Sequence, residues 1–328
     1  MTATAAPGYG TAELRAGDTR VVIAPSLGGR IISMQTGGRE WLWSDPKIPH
    51  RHTDDGSEYG ANGESGGFDE CFPTAAACSL PAISGRYTAL HLPNAYSGLS
   101  LPDHGELWSQ ASTFALTTRD EGVYATCGWV GDRMPYRFVR ALYVANDGRV
   151  EMRYAVSNDG LDRLPYIWCA HPLFPLTKHT RIEMPDGARV RVWRQHGVEL
   201  GGVGAENRWP RVAAAGKLLD LSRPDGVARR YACRLFVDSP TGRAAIIEED
   251  ARLDVTFDAT RAPFVAIWIN RKGWTGHPKY RPPVHFSLGP SSGAPDSLTE
   301  ALSTWKGATW LEPAETREWS VTWTGRAL

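Results

Sequence analysis

The sequence predicts a mainly β protein: a large antiparallel β-sandwich with few short helices, built as one domain over residues 1–328. Three observations predict it. Apolar and polar residues alternate with period two in many short runs, turn-forming clusters separate those runs, and only one segment has the features of a helix.

In chain order, Thr19–Ala24 is the first clear strand, followed by Gly122–Val130 and Tyr136–Val144. Val150, Met152, Tyr154 and Val156 then alternate with Glu151, Arg153 and Ala155, which puts one face of a strand in the core. Leu164–Cys169 reads as a buried strand, and Val190 and Val192 alternate with Arg189 and Arg191. Arg243–Glu248 and Phe264–Asn270 follow, and Trp319, Val321 and Trp323 alternate with Ser320 and Thr322 to close the chain. The clusters Asn146-Asp147-Gly148, Asn158-Asp159-Gly160, Pro185-Asp186-Gly187 and Pro240-Thr241-Gly242 supply turns, because these residues tolerate or preset turn dihedrals. The single helix starts near Asp296 or Ser297, either of which can cap it, with Glu300 three residues after Ser297 and Leu298, Ala301 and Leu302 on its apolar side. The Gly/Pro-rich run 46–67 predicts a long excursion at one end of the sandwich, the kind of loop that often carries function.

Composition narrows the function. The chain has 328 residues, 42% of them hydrophobic, and Lys plus Arg equals Asp plus Glu at 36 each. A balanced charge with no basic block gives no electrostatic footprint for nucleic acid or an anionic membrane. No apolar run reaches membrane-spanning length, and the first residues show neither a basic leader nor an apolar core, so a cytoplasmic protein is expected. The five cysteines are odd in number, scattered and free of C-x-x-C pairs, which fits reduced thiols. Thirteen tryptophans exceed what the core needs; any one of them is more readily core than binding platform, yet the surplus favours a sugar ligand, whose apolar faces pack on aromatic rings.

Three stretches interrupt this pattern with titratable residues: Gly67-Phe68-Asp69-Glu70-Cys71, Pro102-Asp103-His104-Gly105-Glu106 and Cys169-Ala170-His171-Pro172. Histidine moves protons near neutral pH, and a carboxylate beside it fixes its tautomer and raises its basicity. Each histidine alone is also compatible with a plain structural role, His104 in a turn and His171 at the end of a core strand stopped by Pro172. A zinc site from His104, His171, Cys71 and Cys78 matches no standard ligand spacing, and no metal or other cofactor is expected.

Leu27-Gly28-Gly29-Arg30-Ile31-Ile32, Glu40-Trp41-Leu42, GGFDECFPT, PDHGELW, AHPLF, Trp268-Ile269-Asn270, Pro295-Asp296-Ser297-Leu298 and Trp310-Leu311-Glu312-Pro313 occur in this order. The series resembles the aldose 1-epimerase (galactose mutarotase-like) superfamily, and in particular its bacterial aldose 1-epimerase-like branch, from about Leu27 to Trp323. The resemblance implies a β-sandwich with a sugar cleft across one sheet and cofactor-free interconversion of anomers by a matched acid and base. It implies His171 as general acid, His104 as a second histidine near the ring oxygen, Arg30, Asp69, Glu106 and Trp268 in or around the substrate cleft, and a small-molecule carbohydrate or glycoside as ligand of a monomer or homodimer. The glutamate that serves as base in that family falls, by this pattern, at Gly289, which carries no acid. Glu70 is then the first candidate to replace it, with Asp69, Glu106, Glu248, Glu249 and Asp250 behind it. Sugar binding without turnover, a divergent lyase or isomerase reaction, and a sugar-phosphate substrate held by Arg271, Lys272, Lys279 and Arg281 remain as alternatives. Asp296 is read as a helix cap.

Overall fold

A computed structural model of the chain describes residues 10–51, 59–60, 65–82 and 92–328. Two antiparallel sheets dominate it. The larger has 13 strands, in the spatial order Ala12–Ala16, Thr19–Ala24, Arg30–Thr36, Phe68–Cys71, Cys169–Pro175, Val284–Ser291, Phe264–Arg271, Tyr231–Asp238, Arg189–His196, Glu206–Arg208, Arg211–Ala214 and Lys217–Asp220, with Arg39–Glu40 pairing off this path. The smaller has eight, ordered Arg181–Glu183, Arg243–Ile247, Ala251–Phe257, Thr316–Ala327, Arg149–Asn158, Tyr136–Ala145, Gly122–Val130 and Thr113–Arg119. The expected mainly β sandwich is what the chain forms.

The alternation read from the sequence becomes a buried face. Val150, Met152, Tyr154 and Val156 point into the core, as do Trp319, Val321 and Trp323, while the residues between them face outward. One continuous apolar cluster takes side chains from both sheets. Trp323 of the smaller sheet meets Phe68 of the larger edge-on at 5.7 Å, and Phe138 meets Phe72 at 5.1 Å. Ring pairs of this kind add to plain area burial, which by itself stabilises by roughly 25 cal/mol per Å² of apolar surface.

Two local expectations need correction. Leu164–Cys169 is not one strand: Leu164–Tyr166 pairs with Thr309–Leu311 in a small separate ribbon, and Cys169–Pro175 enters the large sheet. Pro172 does not stop the second of these. It pairs with Phe68 on one side, and its missing N–H falls where the ladder to Val284–Ser291 is interrupted between Cys169 and Leu173. The helix spans Leu298–Ser303, and Ser297 caps it by accepting from the Glu300 N–H at 3.3 Å. Of the excursion 46–67, residues 52–58 and 61–64 lie outside the described residues, as do residues 1–9, on which the reading of the N-terminus rests. Among the described residues no helix is long and apolar enough to cross a membrane.

Candidate active site

The site lies on the face of the large sheet opposite the core. Strand alternation decides which side chains reach it. In Phe68–Cys71, Phe68 and Glu70 point between the sheets, whereas Asp69 and Cys71 point to the other face. His171 comes from the neighbouring strand, paired with Asp69, and beyond the intervening strand Val284–Ser291, Trp268 and Arg234 are direct partners on the next two strands. Beyond them, a register shift between Val192 and Arg194 marks a bulge, and Trp193, Arg194 and His196 all line the cleft. Loops supply Tyr59, Asp103, His104, Trp274 and Asp296, and the cleft encloses about 130 Å³.

His104 and Gly105 take left-handed backbone conformations in succession, with φ of 60° and 75°. Only glycine fits at 105, because a Cβ there would lie 2.1 Å from the Phe72 carbonyl oxygen. The left-handed His104, unusual for a non-glycine residue, is held by contacts on both sides of this turn. Glu106 N–H donates to the Phe72 carbonyl at 2.8 Å, and the Trp108 indole donates to the Asp103 carbonyl at 2.8 Å. The turn thereby presents the His104 ring to the cleft, stacked on Tyr59 with centroids 4.0 Å apart. Tyr59 also meets His171 edge-on at 5.9 Å, and its hydroxyl donates to Asp69 at 2.8 Å. Arg30 grips the other oxygen of Asp69 at 2.9 Å and donates to Ser65 at 2.8 Å. Arg30 and Asp69 therefore brace the site from behind, with neither lining the cleft itself.

The two histidines stand 4.9 Å apart, edge to face. Burial works against a charged His104. Asp103, 3.2 Å from its Nδ1, and the more distant Asp296 outweigh that cost and hold its pKa above the ordinary histidine value. The Asp103 contact is an ion pair without hydrogen-bond alignment, since Nδ1 has no aligned acceptor. Burial works against a charged His171 too, with no carboxylate to outweigh it. It is reinforced by His104, Arg234, His285 and Arg30, so the His171 pKa lies well below the ordinary value. The surroundings of the two rings therefore favour a proton on His104 and disfavour one on His171.

Asp296 joins Asp103 as a carboxylate of the cleft. Arg234 holds it with two parallel bonds, Nε to Oδ2 at 2.8 Å and Nη2 to Oδ1 at 2.6 Å, both side chains being at least nine-tenths buried. Arg234 Nη1 is buried with no hydrogen-bond partner among the described residues. The reading of Asp296 as a helix cap is therefore overturned: Ser297 performs the capping, which frees the aspartate to face the cleft. One signal could have found this pair. Arg234 is the only ionised side chain inside the otherwise apolar run Tyr231–Val237, and a buried cation needs a buried anion.

Other expectations change as well. Glu70 does not reach the cleft. It is buried between the sheets, accepting from Trp168 Nε1 at 2.9 Å, Tyr154 at 3.0 Å and Arg140 at 3.2 Å. Glu106 is likewise buried away from the cleft, bound by the Tyr136 hydroxyl at 2.6 Å and the Arg133 N–H at 2.9 Å. Glu248 accepts from Thr177 and Thr180, Asp250 pairs with Arg39 and Glu249 with His179, so none of the three lines the cleft. Arg271 pairs with Asp225, and neither it nor Lys272, Lys279 or Arg281 lines the cleft. Gly289 is not an emptied catalytic position. Its Cβ would lie 1.7 Å from the Ala170 carbonyl oxygen, so close strand packing demands glycine there. Among the described residues no cluster of three His, Cys, Asp or Glu side chains is placed to hold a metal ion. The cysteines are all unbridged.

No protein-family model matches the chain, and no curated protein matches it by sequence. Its fold is nonetheless that of solved aldose 1-epimerase and galactose mutarotase-like proteins. The Slr1438 protein of Synechocystis sp. PCC 6803 superposes with a TM-score of 0.70 at 16% identity, covering 100% of this chain and 99% of that one. A candidate aldose 1-epimerase from Escherichia coli K12 gives 0.66 at 17% identity, covering 98% and 100%. A galactose mutarotase related enzyme from Lactobacillus acidophilus gives 0.61 at 16% identity, covering 96% and 97%.

Proposed function

We propose that this chain, as one domain, is a cofactor-free carbohydrate isomerase of the aldose 1-epimerase type, acting at the anomeric centre of a sugar or sugar derivative. The observation that carries this reading is the union, in one cleft, of Asp296, paired with Arg234, and two histidines whose surroundings push their pKa values in opposite directions. Anomer interconversion needs an acid and a base that coexist at one pH, and environments that push titratable groups apart create such a set.

In this proposal the Asp296 carboxylate takes the proton of the anomeric hydroxyl as the His104 imidazolium gives its proton to the ring oxygen. The ring C–O bond breaks and the anomeric carbon becomes an aldehyde. Rotation about the adjacent carbon–carbon bond, followed by the same transfers in reverse, closes the other anomer and restores both groups. Neutral His171 binds and orients the sugar between them. The acid role thus moves from His171 to His104, because a depressed pKa leaves His171 without a proton to give. Trp193, Trp268 and Trp274 furnish apolar faces for the ring, Trp268 and Trp274 meeting edge-on at 5.7 Å.

The deciding experiment is saturation-transfer NMR on a panel of free aldoses, uronates and sugar phosphates, with Asp296→Asn and His104→Asn variants alongside. Faster anomer exchange than in buffer, lost in both variants, is expected. Sugar binding without accelerated exchange in any panel member would sink the isomerase and leave a binding protein.

A further inference from the structure

A second concavity shares no wall with the cleft. It lies where Phe264 begins its strand and encloses about 420 Å³. Arg261, Lys306 and Arg317 line it together with Phe264, Ser292 and Trp310, and no carboxylate side chain does. Neither Arg261 nor Lys306 makes a salt bridge among the described residues, and both are exposed. Arg317 shares its charge with Glu315, which stands outside the lining. A further cation, Arg163, lies 4.0 Å over the Trp310 ring. Phe264 and Trp310 are each only partly buried, so both leave ring surface open.

Cations that converge from three separate segments repel one another, and a bound anion relieves that repulsion with charge-assisted hydrogen bonds. Half-exposed aromatic faces beside them suit a flat or apolar ring. A volume of about 420 Å³ exceeds what a bare oxyanion fills. We propose that this cavity is a binding site for a phosphate monoester carried on a ring, with Arg261, Lys306 and Arg317 on the phosphate and Phe264 and Trp310 against the ring. This site is independent of the reaction proposed for the cleft.

Phenyl phosphate titrated into the full chain at low salt, followed by calorimetry, tests it. Saturable one-to-one binding with a Kd at or below about 1 mM is expected, weakening at least about tenfold in an Arg261→Gln/Lys306→Gln double variant and remaining unchanged in Arg194→Ala at the cleft. Phenol binds no more than weakly, and inorganic phosphate binds more weakly than the ester. Both substituted residues are surface-exposed, and a thermal melt matching the parent shows that the double variant is folded. Trp310→Leu supplies a second variant that keeps all three cations and loses affinity for the ester alone. Absence of saturation at 10-fold above that Kd, binding insensitive to the double variant, or binding lost with Arg194 overturns the proposal. Equal affinity for inorganic phosphate and the ester removes the ring.

Discussion

His104 and His171 meet edge to face with ring centroids 4.9 Å apart, one on a loop and one on a strand, and their surroundings drive their protonation in opposite directions. Asp103 makes the difference, since it touches His104 and not His171.

This asymmetry is readable without a substrate. In histidine-labelled protein, the His104 ring should titrate above 6.5, the ordinary value, and His171 well below it. Asp103→Asn removes the ion pair and leaves burial to dominate, so the His104 pKa should fall. Because the folded pKa of His104 is raised, its contribution to stability is full below about 6.5 and is lost as pH rises through the folded value. Its activity as an acid fades over the same rise, so the alkaline limb of the rate profile should move down in Asp103→Asn. Two coincident histidine titrations near 6.5 would refute the division of roles.

The Arg234 and Asp296 pair should behave as a buried salt bridge with a function. Removing one partner of such a pair costs about 3–5 kcal/mol, because it strands the other charge. Arg234→Met should therefore lower stability in urea denaturation by that order. Asp296→Asn keeps the shape and tests the chemistry, with a rate loss on the order of 100-fold to 10,000-fold expected for a general base. A full rate in Asp296→Asn would move the base elsewhere.

Glu70 should matter for folding alone. Burial pushes its carboxyl up, against the pull of Arg140, Trp168 and Tyr154. Glu70→Gln leaves Arg140 as a buried cation short of its anion, so a loss of about 3–5 kcal/mol is expected in chemical denaturation. At a temperature where the variant remains folded, its turnover should match the parent. A selective loss of turnover in the folded variant would return Glu70 to the reaction.

Gly289 should accept no side chain. Alanine there drives a methyl group into the Ala170 carbonyl, and the expected cost in a urea melt is about 3 kcal/mol, the upper end for overpacking. Glutamate at 289 should fail to fold and should create no activity. A stable Gly289→Ala protein would show that the strand can yield and that the position was once open.

Much of the architecture is legible in the sequence alone. The alternation at Val150–Val156 and Trp319–Trp323 marks which faces are buried, and the Ser297-to-Glu300 spacing marks the helix start. His104 and His171 stood out as polar interruptions of apolar or turn-like sequence, and the resemblance to the aldose 1-epimerase superfamily pointed to them and to Trp268 as cleft residues, where all three line the cleft. Arg194, His196 and Trp193 were not, because a bulge redirects side chains and leaves no mark in the pattern. Tyr59 and Trp274 were hidden for a similar reason: loops carry no periodicity to show which way a ring points.

The sequence by itself determined the sheet-rich fold, because strand periodicity is local and each residue's facing follows from its neighbours. It also marked a few polar interruptions of that pattern as the places where titratable side chains gather. Only the tertiary structure decided which carboxylate reaches the cleft. Glu70 and Asp69 are adjacent in the chain yet face opposite sides of a sheet, while Arg234 and Asp296 are 62 residues apart and share two hydrogen bonds. That choice is made by the pairing register of distant strands, which no local pattern encodes.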